Sequence, residues 1–125
     1  MKFLVVDDSA TMRRIIVNSL SRIGYTDCVE AGDGKSALDV FDDSVDFVIT
    51  DWNMPNMSGL DFVRALREKP EARDKPILMV TTRSVKEDIM AAAQAGVNNY
   101  VVKPFTPQVL KSKIEQVMTA SPAAS

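Results

Sequence analysis

The 125-residue sequence predicts an α/β protein: a parallel sheet with helices on both faces, forming a three-layer α/β/α sandwich in one domain. Two features of the chain lead there. Five short apolar runs alternate with five stretches of helical spacing. Apart from a weaker second one, the runs are apolar throughout rather than at every second position, as strands buried on both faces require. Right-handed crossovers then make the sheet doubly wound.

The first run, Phe3-Leu4-Val5-Val6, is stopped by Asp7 and Asp8. Ser9 reads as a helix N-cap, and Met12, Ile16, Leu20 and Ile23 follow at helical spacing until Gly24. Cys28-Val29-Glu30 is a weak second strand, and Asp33-Gly34 makes a turn and cap before a helix carrying Leu38 and Phe41. The third strand lies within Val45-Asp46-Phe47-Val48-Ile49-Thr50 and ends at Asp51. Met54-Pro55-Asn56-Met57 is a loop, because the residue before proline disfavours helix. Ser58 caps the next helix, with Phe62, Ala65 and Leu66 on one side. Pro70 and Pro76 bracket a loop, and Ile77-Leu78-Met79-Val80 is a fourth strand ending at Thr81. Ser84-Val85-Lys86-Glu87 has the pattern of a capping box, so a helix starts there; Gly96 ends it. Tyr100-Val101-Val102 is the fifth strand, ending at Lys103-Pro104. Thr106-Pro107 is a cap and first turn for the last helix, which carries Leu110, Ile114 and Val117. The domain is expected over residues 1–120, with 121–125 a flexible tail of small residues.

Composition removes several function classes. A formal net charge of -2 gives no reason to expect nucleic-acid binding. No apolar run approaches the roughly 20 residues that span a bilayer, so no membrane partner is expected. The start turns acidic at Asp7, too soon for a signal peptide, and the single cysteine, Cys28, suits a reducing cytosol. The absence of histidine excludes His-based triads and His metal sites.

All strands of a parallel sheet point one way, so Asp7, Asp8, Asp51, Thr81 and Lys103 lie at strand ends on one edge, where open α/β sheets bind ligands. Three carboxylates meeting there repel: two unit charges ~4 Å apart cost about 4 kcal/mol at an effective dielectric near 20. An all-oxygen site of this kind suits a hard divalent cation, Mg²⁺ with several retained waters. With Lys103 and Mg²⁺ the formal charge of the three carboxylates is cancelled, so an incoming phosphoryl group is not opposed. Asp51 is then a candidate nucleophile for an aspartyl phosphate, with Thr81 offering a hydroxyl and Lys103 an ammonium to its oxygens.

Asp7-Asp8, Asp51, Thr81 and Lys103-Pro104-Phe105, in this order and at these strand ends, resemble the receiver domain of response regulators over residues 1–119. Phe3 to Ser9, Thr11-Met12-Arg13-Arg14, Asp51 to Met57 and Tyr100 to Phe105 resemble the chemotaxis members in particular. The resemblance implies a flavodoxin-like sheet of strand order 2-1-3-4-5. It implies phosphorylation of Asp51 by a histidine kinase, with Asp8, Asp51 and the Asn53 backbone carbonyl on Mg²⁺ and Asp7 acting through water. Lys103 would hold the phosphoryl group, Thr81 and Tyr100 would form the switch with the ring turning inward, and the Lys103-Pro104 bond would be cis. The chain would be a single-domain, monomeric, cytoplasmic switch, catalysing only its own phosphorylation and dephosphorylation. It would relay a chemotaxis signal to the flagellar motor switch protein, with a phosphatase as a further partner. The partner face would comprise the fourth helix, fifth strand and fifth helix, with Val85, Ile89, Ala93, Tyr100, Val102, Phe105 and Lys113 as contacts. The run Ile89-Met90-Ala91-Ala92-Ala93, apolar nearly all round, fits a helix with a second surface to cover. Arg83, two residues after Thr81, departs from the pattern; with Asn53 it is expected to tune hydrolysis of the phosphate through access of water.

Other readings compete. Taken singly, the Asp-Asp pair is a turn and cap, Lys103 a solvated lysine, Thr81 a locally bonded hydroxyl and Tyr100 a half-buried ring. Trp52 reads as rim packing, Cys28 as an inert thiol and the methionines as core filler. A phosphorelay intermediate passing phosphate to a histidine phosphotransfer protein remains within the class. A flavin-binding protein on the same sheet would need an amide-rich phosphate loop where Asp7-Asp8 stands, and a structural pseudo-receiver would lack site residues that are present.

Overall fold

The computed structural model describes residues 1–119; the tail expected over 121–125 lies outside them. The elements alternate as expected: β1 (Lys2–Val6), α1 (Ala10–Arg22), β2 (Asp27–Ala31), α2 (Gly34–Val40), β3 (Phe47–Thr50), α3 (Gly59–Arg67), a 3₁₀ turn (Pro70–Ala72), β4 (Ile77–Thr81), α4 (Lys86–Ala95), β5 (Asn99–Val102) and α5 (Pro107–Thr119). The strands pair in parallel in the order β2-β1-β3-β4-β5.

The sheet divides the apolar side chains into two layers. Leu4, Val6, Val48, Ile77 and Met79 face α2, α3 and α4, where they meet Phe62, Leu66 and Ala92. Phe3, Val5, Ile49, Leu78 and Val80 face α1 and α5, where they meet Ile16, Leu20, Leu110 and Ile114. Alternate residues of one strand therefore serve opposite layers, which is why the runs are apolar throughout.

Four expected caps form. Ser9 Oγ accepts from Met12 N at 3.1 Å, Asp33 Oδ1 from Ser36 N at 2.7 Å, Ser58 Oγ from Asp61 N at 3.2 Å and Thr106 Oγ1 from Val109 N at 3.2 Å. Gly24 and Gly96 end their helices at φ +102° and +115°, a region closed to most side chains.

Three expectations need correction. The capping box at Ser84 is not made: α4 starts after Val85, whose side chain offers no cap bond. Its first turn instead carries the acids Glu87 and Asp88, which suit the positive end of a helix. Val63 rather than Ala65 joins Phe62 and Leu66 in the buried stripe of α3. The Pro70–Pro76 segment is not a plain loop but begins with the 3₁₀ turn, and Arg67 pins it by donating to the carbonyls of Ala72, Arg73 and Lys75.

Candidate functional site

The strand ladder carries the site residues one step past each strand. Asp7 N donates to Ala31 O at 3.2 Å, Asp51 N to Val6 O at 3.0 Å and Lys103 N to Thr81 O at 2.8 Å. The backbones of the functional residues are thus fixed by the sheet, and only their side chains are free to act. A second constraint comes from α3. Gly59 N donates to Trp52 O at 2.7 Å, drawing the start of α3 against the main chain of Asp51 and Trp52.

Asp7, Asp8 and Asp51 each place one carboxylate oxygen within 4.8 Å of the others. Asp7 and Asp51 are buried, at 1% and 8% exposure, while Asp8 is open to solvent. Lys103 Nζ lies 3.0 Å from Asp7 Oδ2 and 3.0 Å from Asp51 Oδ2, bridging the two. The remaining oxygens are also engaged: Asp7 Oδ1 accepts from Ser9 N at 2.9 Å and Asp51 Oδ1 from Trp52 N at 2.6 Å. Burial pushes the Asp7 carboxyl up, and the Ser9 N–H and Lys103 pull against that rise without cancelling it. Burial works to lower the Lys103 ammonium, but the hydrogen bonds and charges of Asp51 and Asp7 prevail and raise it. Lys103 is therefore charged at neutral pH.

Hard oxygen donors with a surplus of negative charge fit Mg²⁺ better than a soft or imidazole-seeking metal. Asp8, exposed at the mouth of the cluster, is open to a hydrated ion.

Thr81 is fully buried at the end of β4, and its Oγ1 accepts from Arg83 N at 3.4 Å. Arg83 is better connected than its position suggested. Its guanidinium carbon lies 4.5 Å from the Trp52 ring centroid, Nη2 donates to Asn53 Oδ1 at 3.1 Å, and Nη1 is 3.5 Å from Asp88 Oδ2. Trp52 is a buried member of the core layer rather than rim packing, and its ring is the platform for this stack. Tyr100 is 9% exposed, so the ring already lies inside the surface, and its hydroxyl has no hydrogen-bond partner among the described residues. The Lys103-Pro104 bond is cis.

Of the expected partner face, Val85, Ile89, Ala93 and Val102 are exposed. Ile89, Ala93 and Tyr100 border one half-open hollow between α4 and β5. Phe105 and Lys113 are only half exposed, and Phe105 packs on the layer beneath α5.

The family pattern described as the response regulator receiver domain matches residues 3–115. The chain belongs to the response regulator receiver family. Relatives include the chemotaxis protein CheY1 of Helicobacter pylori, 55% identical over 120 residues, covering 94% of this chain and 97% of that protein. The CheY of Pseudomonas aeruginosa is 53% identical over 118 residues, covering 94% and 95%. Among solved structures, Vibrio cholerae CheY4 superposes with a TM-score of 0.86 at 36% identity, covering 93% of this chain and 97% of that one. This is a CheY-like receiver, a signalling protein. No described helix is long and apolar enough to cross a membrane.

Two residues around the site were missed in the sequence. Gly59 opens α3 after the capping Ser58, and nothing in the sequence around it marks its close approach to Asp51. Asp88 carries no signal in the sequence beyond that of a first-turn acid of α4.

Proposed function

We propose that this receiver is a Mg²⁺-dependent phosphorylation switch of chemotaxis, modified on Asp51 by a histidine kinase and read by the flagellar motor switch protein. The observation that carries the reading is the single ammonium of Lys103 bridging Asp7 and Asp51 beside a third, open carboxylate. In the transfer, an Asp51 carboxylate oxygen forms a bond to phosphorus as the bond to the kinase's histidine nitrogen breaks. That nitrogen keeps the electron pair and the imidazole is restored. Asp7, Asp8 and Asp51, with the Asn53 carbonyl, would hold the metal, which supplies positive charge to the phosphoryl oxygens. Trp52 N–H orients the carboxylate by holding one oxygen. Lys103 exchanges a carboxylate partner for a phosphoryl oxygen, and Thr81 turns its hydroxyl to another. Tyr100, two residues before the lysine on β5, carries the change to the face of α4, β5 and α5. The setting for these partners is the cytoplasm, the chain acts as a monomer, and a phosphatase ends the signal.

Two tests follow. A labelled peptide from a flagellar motor switch protein should bind more tightly, by roughly 5- to 150-fold, when Mg²⁺ and an acyl phosphate are present. Equal affinity in both states, with phosphate passing on to a histidine phosphotransfer protein, would favour the relay reading. Arg83→Ala, removing the side chain that spans Trp52 and Asn53 beside Asp51, should shorten the aspartyl-phosphate lifetime by roughly 2- to 5-fold. An unchanged lifetime, followed by intact mass after donor removal, rules out that shielding role.

A further inference from the structure

Among the described residues two buried polar atoms lack hydrogen-bond partners, Arg83 Nε and the Tyr100 hydroxyl. Both belong to one set of side chains. Arg83 joins Trp52 and Asn53, which follow the phosphoacceptor, to Asp88 in the first turn of α4. Its own N–H rests on Thr81 Oγ1. The start of α4 is otherwise lightly held, because Val85 supplies no cap bond. Among the described side-chain hydrogen bonds and ion pairs, Arg83–Asp88 is the contact that ties that first turn to the site. The Tyr100 phenol sits in the same field: after burial, the charges of Asp88 and Arg83 act on it most strongly.

We propose that Arg83 is a latch, holding the first turn of α4 to the phosphoacceptor loop in the unmodified chain and letting go when Asp51 is phosphorylated. The second half rests on the switch reading above. A phosphoryl group brings about -1.5 to -2 charges beside the residue on which the guanidinium lies. Asp88 holds the guanidinium with one carboxylate in a loose, partly exposed pair at 3.5 Å. The dianion is the stronger attractor. Once the guanidinium turns toward it, the first turn of α4 is untied and Asp88 becomes an acceptor for the unpartnered Tyr100 hydroxyl. In this role Arg83 is a positioning residue, acting on the partner face through α4 and Tyr100, beside its shielding of the phosphoryl group.

Amide hydrogen exchange of residues 84–90, read by mass spectrometry, tests this in the full chain. In the unmodified protein Asp88→Asn and Arg83→Ala should each speed exchange there by roughly 2- to 5-fold, the worth of a partly exposed pair. The double variant should exchange no faster than either single one, whereas loss of a helix-end charge alone would add to the effect of Arg83→Ala. Asp88→Glu should restore slow exchange. Acyl phosphate with Mg²⁺ should speed exchange in the wild type but not in Asp88→Asn, which still takes up phosphate by intact mass. Equal exchange in wild type and Asp88→Asn, additive single effects, or the same phosphate-induced gain in both proteins overturns the latch. Absence of any phosphate adduct would strike the switch reading instead, and the comparison of unmodified proteins would still decide the tie.

Discussion

Gly59→Ala is expected to be the most damaging small substitution in the chain, lowering stability by about 3 kcal/mol and the melting temperature by roughly 10 °C or more. A Cβ at this position would lie 2.8 Å from Trp52 Cα and 2.9 Å from the Asp51 carbonyl carbon, and closer still to the Asp51 carbonyl oxygen. All three are backbone atoms, so no side chain can swing aside. The ordinary effect of Gly→Ala in a helix runs the other way, by about 1 kcal/mol, and is too small to offset the collision. The strain falls on Asp51, the proposed phosphoacceptor, so phosphate uptake should fall with stability. Gly32→Ala is the matched control: a Cβ there meets only the flexible end of Arg13 at 3.5 Å, and its melting curve should stay close to wild type. Thermal unfolding followed by circular dichroism checks both, and a near-wild-type Gly59→Ala would mean that α3 can retreat without cost.

Lys103→Met is expected to cost about 3 kcal/mol in metal-free buffer, because it leaves two buried carboxylates facing each other without their shared cation. Added Mg²⁺ should recover most of that loss, and should stabilise the variant more than the wild type. The sign of the pH effect follows from the same contacts. A lysine raised by its partners stabilises the fold fully below its ordinary value near 10.4, and that contribution fades as pH climbs through the raised value. The metal-free wild type should therefore lose stability at alkaline pH in a way that Lys103→Met does not. Identical melting of variant and wild type without metal would show that the bridge contributes nothing.

The fold was legible because its cues are local or periodic. Continuous apolar runs gave the strands, and Ser9, Asp33, Ser58 and Thr106 marked helix starts with bonds that do form. The capping box at Ser84 misled because its residue types were right while the helix begins one residue further on, after Val85. At the site, Asp7, Asp8, Asp51, Thr81 and Lys103 could be brought together by topology alone, since each ends a strand of one parallel sheet. Contacts that depend on side-chain reach could not be read this way. Nothing in the spacing of Arg83, Trp52, Asn53 and Asp88 says that one guanidinium spans them. Nor does the sequence say that Lys103 lies equally close to Asp7 and Asp51, offsetting part of the charge of the cluster before any phosphate arrives.

The proposed switch rests on Asp51. Its most direct measurement is the intact mass of the chain after incubation with Mg²⁺ and a small acyl-phosphate donor. One phosphoryl group should add to the wild type, none to Asp51→Asn, and none to the wild type when the metal is chelated. A wild-type chain that gains no mass, or an Asp51→Asn chain that gains it equally well, would contradict the assignment of Asp51 as the phosphoacceptor.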